Sequence, residues 1–245
     1  YIVFANDVAD IETDIRNQTA TPFSGGSRVV PEGQLTLRAL SLGAMVAAVA
    51  LVATAGVLSV VYDRPLSPLF ALAALVLLWA YSYPPFRLSY RGGGEFLQVI
   101  GIGVVLPTFG YYAQAGTLVG FPVALFAATL PLQLAGAIAT ALPDATSDAE
   151  SEKNTLAVRL GIPNAQIFAI VLQVVGLALY TGFGLSTPDD LSTWAVSALP
   201  LLATALQTLT PSAIPGERSM LLRVFLILTA NLTFTVGLIA VALRG

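Results

Sequence analysis

Apolar residues run almost unbroken through seven stretches of the chain, roughly 37–61, 67–83, 97–113, 121–140, 160–183, 191–209 and 219–243. Polar residues gather between them. Each run approaches the ~20 residues that an α-helix needs to cross about 30 Å of hydrocarbon. No stretch shows the short apolar–polar alternation of a transmembrane β-strand. The pattern predicts an all-α, polytopic transmembrane helical bundle. The opening "YIVFA" reads as the tail of a further span, so a truncated N-terminus is expected. Two polar stretches, 7–36 and 141–159, are longer than simple loops between spans. Both begin with an acidic cluster at the end of an apolar run.

Composition narrows the chemistry. The chain is 56% hydrophobic and only 10% charged, and it has no Cys and no His. Thiol and imidazole catalysis, disulfides and His/Cys metal sites are therefore excluded. A metal here must be held by oxygen, which points to a hard cation such as Mg²⁺. The net charge of −3 is too small to imply a nucleic-acid partner.

The basic residues are placed unevenly. Arg16, Arg28, Arg38, Arg87, Arg91, Lys153, Arg159, Arg218 and Arg223 fall on one side of the predicted bundle; Arg64 and Arg244 fall on the other. By the positive-inside rule the first side is cytoplasmic. Most acids, including Asp7, Asp10, Asp14, Glu95, Asp144 and Asp148, share that side. Tyr81, Tyr83, Tyr111, Tyr112 and Trp194 lie at predicted span ends, where an interfacial aromatic belt is expected. Tyr81 has a second reading, as an aromatic face lining an internal cavity. Gln98, Gln133, Gln173 and Asn231 lie within spans. Such residues more often join helices than catalyse. Gly101 and Gly103 are expected to permit close helix packing.

The acidic clusters carry the candidate chemistry. In "NDVADIETD", Asp7, Asp10 and Asp14 are spaced i, i+3, i+7 and share one helical face. In "PDATSDAESEKNT", Asp144 and Asp148 are spaced i, i+4 and do the same. Stacked like charges destabilise a helix by a few tenths of a kcal/mol per pair, roughly. A divalent cation reverses that sign, and Mg²⁺ typically adds water and phosphate oxygens to one or two carboxylates. The plain alternative is a pair of solvated helix ends. Basic residues stand nearby in sequence. Arg28 follows a Gly-Gly-Ser turn able to offer backbone N–H groups to an anion, and Lys153 and Arg87 complete the set. Asp14, at the far end of the first cluster, is expected nearer solvent.

These motifs resemble the UbiA superfamily of intramembrane prenyltransferases. Asn6, Asp7, Asp10 and Asp14 match its pattern NDxxDxxxD in full, and Asp144 and Asp148 match its second pattern DxxxD. "NTLAVRLG" at 154–161, "YS" at 81–82, Arg87 and "GGGE" at 92–95 also look like the family. "TPFSGGSRVVPEG" at 21–33 looks most like the branch that prenylates 1,4-dihydroxy-2-naphthoate. The family usually has Gly before the lysine of the second motif, where this chain has Glu152.

The resemblance implies one membrane-embedded prenyltransferase domain over 1–245, with seven of nine spans present. It implies Mg²⁺ held by the catalytic acids Asp7, Asp10, Asp144 and Asp148. Asn6, Asp14, Arg28, Lys153, Arg87, Tyr81 and Gln133 would bind substrate. The substrates would be a polyprenyl diphosphate and an aromatic acceptor in quinone synthesis. The setting would be a bilayer, a bacterial plasma membrane, with the site on its cytoplasmic side. Other acceptors of the superfamily are 4-hydroxybenzoate, homogentisate, a chlorophyllide and geranylgeranylglyceryl phosphate. A membrane transporter is the alternative from another class, because intramembrane carboxylates can mark ion paths.

Overall fold

The computed structural model describes residues 1–16, 26–182, 191–210 and 214–242. Among them all regular structure is helical. The chain divides into two compact units. One comprises Tyr1–Phe121 with Ser147–Thr155, the other Pro122–Thr146 with Leu156–Gly245.

The first unit opens with two short helices, α1 (Ile2–Ala9) and α2 (Ile11–Arg16). The long helix α3 (Leu37–Val61) starts at Thr36, whose side chain accepts a hydrogen bond from the Ala39 N–H at 3.1 Å. Helix α4 (Ser67–Ser82) has Pro68 in its first turn, where a missing N–H costs nothing. The short helix α5 (Leu88–Arg91) leads into α6 (Gly94–Gln98). A π-helical stretch, Val99–Val105, then joins α6 to α7 (Leu106–Ala115). Such stretches are rare and concentrate at functional sites. Arg64 closes the end of α7, donating from Nε to the Ala113 carbonyl at 3.0 Å. Helix α3 packs against both α1 and α4.

The second unit contains α8 (Phe126–Ala141), α10 (Leu156–Leu160), α11 (Ile162–Gly182), α12 (Leu191–Leu209) and α13 (Arg218–Ala242). Helix α9 (Ala145–Glu150) carries the chain between its two segments. Here small residues let backbones meet, as membrane helices require. A Cβ on Gly176 of α11 would stand 2.7 Å from the Ala128 carbonyl oxygen of α8. Gln173 joins three helices. Its Nε2 donates to the Ile227 carbonyl of α13 at 3.0 Å, and its Oε1 accepts from Gln207 Nε2 of α12 at 2.8 Å. Asn231 Nδ2 donates to the Leu132 carbonyl of α8 at 2.6 Å. Gln173 and Asn231 are thus the interhelical links their positions suggested.

Among the described residues each of the seven apolar runs folds mainly as helix. Leu37–Val61, Gly94–Ala115, Val123–Ala141, Ile162–Gly182 and Arg218–Val241 are long and apolar enough to cross a membrane. Ser67–Ser82 and Val196–Leu209 are shorter apolar helices. Two expectations are corrected. Tyr112 is no interface anchor, because it is 2% exposed and its hydroxyl accepts the Leu66 N–H at 3.0 Å. Gly101 does not support tight packing. Its nearest neighbour would be Leu77 Cδ1 at 3.8 Å, and it borders a cavity instead.

Candidate active site

The first acidic motif folds as two short helices, α1 and α2, with Asp10 at the break between them, where its spacing predicted one helix. α1 ends at Asp10, whose N–H bonds the Asn6 carbonyl, and the Asp14 N–H bonds the Asp10 carbonyl, each at 2.9 Å. Asp10 itself breaks the helix, at φ −98° and ψ 8°, and α2 resumes at Ile11, while Asp7 and Asp14 both reach Gly26. All three acids are buried, at 5%, 3% and 7% exposure. That overturns the reading of solvated helix ends for this cluster. It also corrects the expectation that Asp14 lies nearer solvent.

Each carboxylate has a defined setting. Asp7 Oδ2 accepts the Ser27 N–H at 3.1 Å. Ser27 thus offers its backbone N–H to an anion, as expected of this stretch, and the anion is the Asp7 carboxylate; Gly25 lies outside the described residues. Gly26 has φ +67° and sits against the acids: a Cβ there would collide with Asp14 Oδ2 and stand 3.1 Å from Asp7 Oδ1. Only glycine fits both constraints. Arg28 donates from Nη1 to the Asp14 carbonyl at 3.3 Å and pairs with Glu32 at 3.4 Å.

Asp10 is the most connected. Its Oδ1 accepts the Tyr90 hydroxyl at 3.0 Å, and its Oδ2 accepts Lys153 Nζ at 3.1 Å and Asn6 Nδ2 at 3.3 Å. Asn6 Oδ1 in turn accepts the Ser82 hydroxyl at 2.9 Å. Lys153 also lies 3.8 Å from Asp148 Oδ1. Burial alone would lower the pKa of Lys153, but Asp10 and Asp148 more than offset it and raise that pKa above its ordinary value. Lys153 therefore stays an ammonium. Burial, and then Asp10, push the Tyr90 phenol up, so it keeps its proton and donates it to Asp10.

Glu152 stands where the family usually has glycine, in a conformation that suits glycine. Its φ is +58°, the left-handed region that glycine favours. This turn brings the Lys153 N–H to the Asp148 carbonyl at 2.8 Å. The "GGGE" stretch has a local reason too. A Cβ on Gly94 would stand 2.9 Å from Ser89 Cα and 3.0 Å from the Tyr81 ring.

A cavity of about 850 Å³ opens from this cluster into the apolar part of the first unit. Asn6, Asp7, Ser27 and Tyr81 line its polar end, and Phe70 and Phe109 line it among the aliphatic residues. The Tyr81 hydroxyl accepts Gln98 Nε2 at 3.0 Å. Of its two readings, Tyr81 takes the cavity wall. Arg87 is elsewhere: its guanidinium lies 3.6 Å over the Tyr90 ring, beside a separate polar pocket. Asp144 and Gln133 belong to the second unit, each partly buried, Gln133 on α8.

The sequence did not reveal Tyr90, Ser27 or Ser82 as partners of the motif, or the burial of Glu95, which is 3% exposed. The one available cue was an aromatic residue set between Arg87 and Arg91 on the motif-bearing side.

The donor set suits a hard cation, since every donor is oxygen and the buried acids of the first unit outnumber its buried ammonium. Among the described residues no three acidic side chains already converge on one metal position. A cation there would need phosphate oxygens and water to complete its shell, which is the usual condition of protein-bound Mg²⁺.

Comparison with known proteins agrees with this site. The chain is 27% identical over 250 residues to the 1,4-dihydroxy-2-naphthoate octaprenyltransferase of Haemophilus influenzae, covering 96% of this chain and 78% of that one. It is 31% identical over 173 residues to a rice protein (Oryza sativa subsp. japonica) described as "Probable homogentisate phytyltransferase 2, chloroplastic". That match covers 67% of this chain and 42% of the rice protein. The fold matches the apo structure of a UbiA homolog from Aeropyrum pernix K1 with a TM-score of 0.64 at 18% identity, over 97% of this chain and 84% of that one. The model of the UbiA prenyltransferase family matches residues 1–213. With that match over most of its length, and with the family's first acidic motif buried at the mouth of an apolar cavity, the chain belongs to the UbiA prenyltransferase family.

Proposed function

We propose that this prenyltransferase moves a polyprenyl group from an allylic polyprenyl diphosphate to 1,4-dihydroxy-2-naphthoate. The observation that carries the reading is the cavity, apolar along most of its wall and ending at Asn6, Asp7 and Ser27. A prenyl diphosphate is apolar along its length and anionic at one end. Residues Ser67 to Tyr81 of α4 line the cavity, a distance of about 21 Å at 1.5 Å per residue.

In this reading the prenyl tail lies along α4 and the diphosphate meets the acidic cluster. Asp7, Asp10, Asp144 and Asp148 are the residues that would hold Mg²⁺, with Asp144 assigned on its motif alone. When bound, Mg²⁺ supplies Lewis-acid neutralisation of diphosphate charge. Lys153 and Arg28 stabilise the negative charge that develops on the leaving group. Asn6 also holds Asp10 through its side-chain amide, and Asn6 and Asp14 belong to the substrate-binding set. The allylic C–O bond breaks, and the bonding pair leaves with the diphosphate. The Tyr81 ring faces the resulting carbocation. The aliphatic wall excludes water that would quench it. An electron-rich acceptor ring then attacks and loses its carboxylate as carbon dioxide.

The similarity to the Haemophilus influenzae enzyme and the 21–33 segment support this acceptor. The rice relative keeps homogentisate as the second candidate. The excess of basic residues on one side supports a cytoplasmic site in a bacterial plasma membrane. One experiment decides the acceptor. Purified protein is incubated with one polyprenyl diphosphate, Mg²⁺ and a panel of aromatic acceptors, and products are read by mass spectrometry. Prenylated, decarboxylated naphthoquinol is expected; product from homogentisate or 4-hydroxybenzoate alone would overturn the assignment.

A further inference from the structure

A second pocket, of about 460 Å³, lies in the first unit and shares no lining residue with the apolar cavity. Arg16, Arg87 and Arg91 line it, with Tyr90 and Ser151. Among the described residues none of the three arginines is in an ion pair. Two exposed acids, Glu12 and Glu152, also reach its wall, so three guanidiniums face two carboxylates. The pocket is therefore net positive in a chain whose net charge is −3.

Two features show that it is built. The Arg87 guanidinium is fixed 3.6 Å above the Tyr90 ring, with the Arg87 backbone in the left-handed region at φ +43°. A non-glycine residue is strained there, and the surrounding fold must hold it in place. Among the described residues the buried Ser151 hydroxyl finds no hydrogen-bond partner. A buried orphan hydroxyl is unfavourable unless something completes it. Guanidinium groups and a spare hydroxyl together suit an anion with several oxygens, and the arginine fork matches phosphate best.

Tyr90 separates this pocket from the acidic cluster. Its ring carries Arg87, while its hydroxyl contacts Asp10 at 3.0 Å and Thr13 at 2.9 Å. We propose that the pocket is a second anion site that takes a phosphate-type group. The group can come from free inorganic diphosphate or from the headgroup of an anionic lipid. The site does not depend on which acceptor the enzyme uses.

The test is binding of inorganic diphosphate to the full chain in neutral detergent, with EDTA present so that metal-dependent capture at the acidic cluster is silent. Saturable binding is expected that weakens as salt rises and falls about tenfold in Arg91→Gln. Ser151→Ala should weaken it about threefold, and Arg38→Gln, an exposed change outside the pocket, should leave it unaltered. Circular dichroism of each variant confirms that helix content is kept. The second arm repeats the measurement in nanodiscs of phosphatidylglycerol and of phosphatidylcholine. Diphosphate binding lost only in phosphatidylglycerol, with that lipid retained by wild type but not by Arg91→Gln in native mass spectrometry, assigns the site to a headgroup. Equal binding in both membranes assigns it to the free anion. No saturable binding of either, or binding that Arg91→Gln leaves intact, overturns the proposal.

Discussion

Lys153 Nζ lies 3.1 Å from Asp10 Oδ2, although 143 positions separate the two residues in the chain. The contact ties the first acidic motif to the stretch that follows the second. Both partners are largely buried, so the pair is held by mutual neutralisation rather than by solvent. Removing the ammonium leaves Asp10 and Asp148 without their shared counter-charge. Lys153→Met should destabilise the protein by about 3 kcal/mol, the usual cost of breaking a buried pair from one side. Chemical denaturation in detergent measures it. The pH dependence has a defined sign. The folded pKa of Lys153 is raised above its ordinary 10.5, so its contribution is full below that value and is lost as pH rises from there through the folded value. Stability should therefore show no Lys153-dependent change between neutral pH and about pH 10.

Glu152 bears the conformational cost of a position suited to glycine. At φ +58° a side chain costs about 1–2 kcal/mol, part of which glycine's greater unfolded entropy takes back. Glu152→Gly is expected to raise stability by about 1 kcal/mol. A fall in stability would mean that the glutamate side chain makes up for its backbone.

Gly26 meets the opposite constraint. An added methyl group would press on the Asp14 and Asp7 carboxylates at φ +67°. The carboxylates can rotate, so the fold should survive with about 1 kcal/mol lost to backbone strain. Their positions should not survive. Gly26→Ala should raise KM for the prenyl diphosphate more than it lowers stability. Steady-state kinetics beside a melting curve separates the two effects.

These three sites also show where the sequence was legible and where it was not. Long apolar runs and the i, i+3, i+7 acids follow from periodicity alone, and the helices came out as expected, but the one helix expected for Asp7, Asp10 and Asp14 is broken at Asp10. Burial of Asp14 was missed because the residues covering it, around Gly26, come from a loop with no periodic signal. Tyr90 was missed because a tyrosine beside arginines is an ordinary interfacial residue by sequence. Its hydrogen bond to Asp10 joins residues 80 positions apart, a long-range contact no local pattern announces. The cavity was invisible for the same reason. Its wall mixes α1, α3, α4, α6, the π-helical stretch and α7, and nothing in each apolar run marks the face left unfilled.

The last prediction concerns Asp10 and Asp148, which share Lys153. Asp10→Asn and Asp148→Asn each remove one charge and keep the shape nearly constant. If both carboxylates serve one bound diphosphate, either change should lower kcat at least about a hundredfold, or roughly 3 kcal/mol of transition-state stabilisation. The double variant should be scarcely worse than the worse single, because groups that act as a unit are non-additive. Raising Mg²⁺ should partly restore the singles by mass action. Asp14→Asn should fall in the same range, since Asp14 is as buried as Asp7. Asp63→Asn, an exposed change at φ +54°, should leave the rate unaltered. Lys153→Met discriminates further. If the lysine only holds the acids apart, its loss should be rescued by added Mg²⁺. If it also stabilises the departing diphosphate, kcat should stay low at saturating metal. Near-normal rates for both aspartate variants, with no response to chelator, would refute a shared diphosphate site in the first unit.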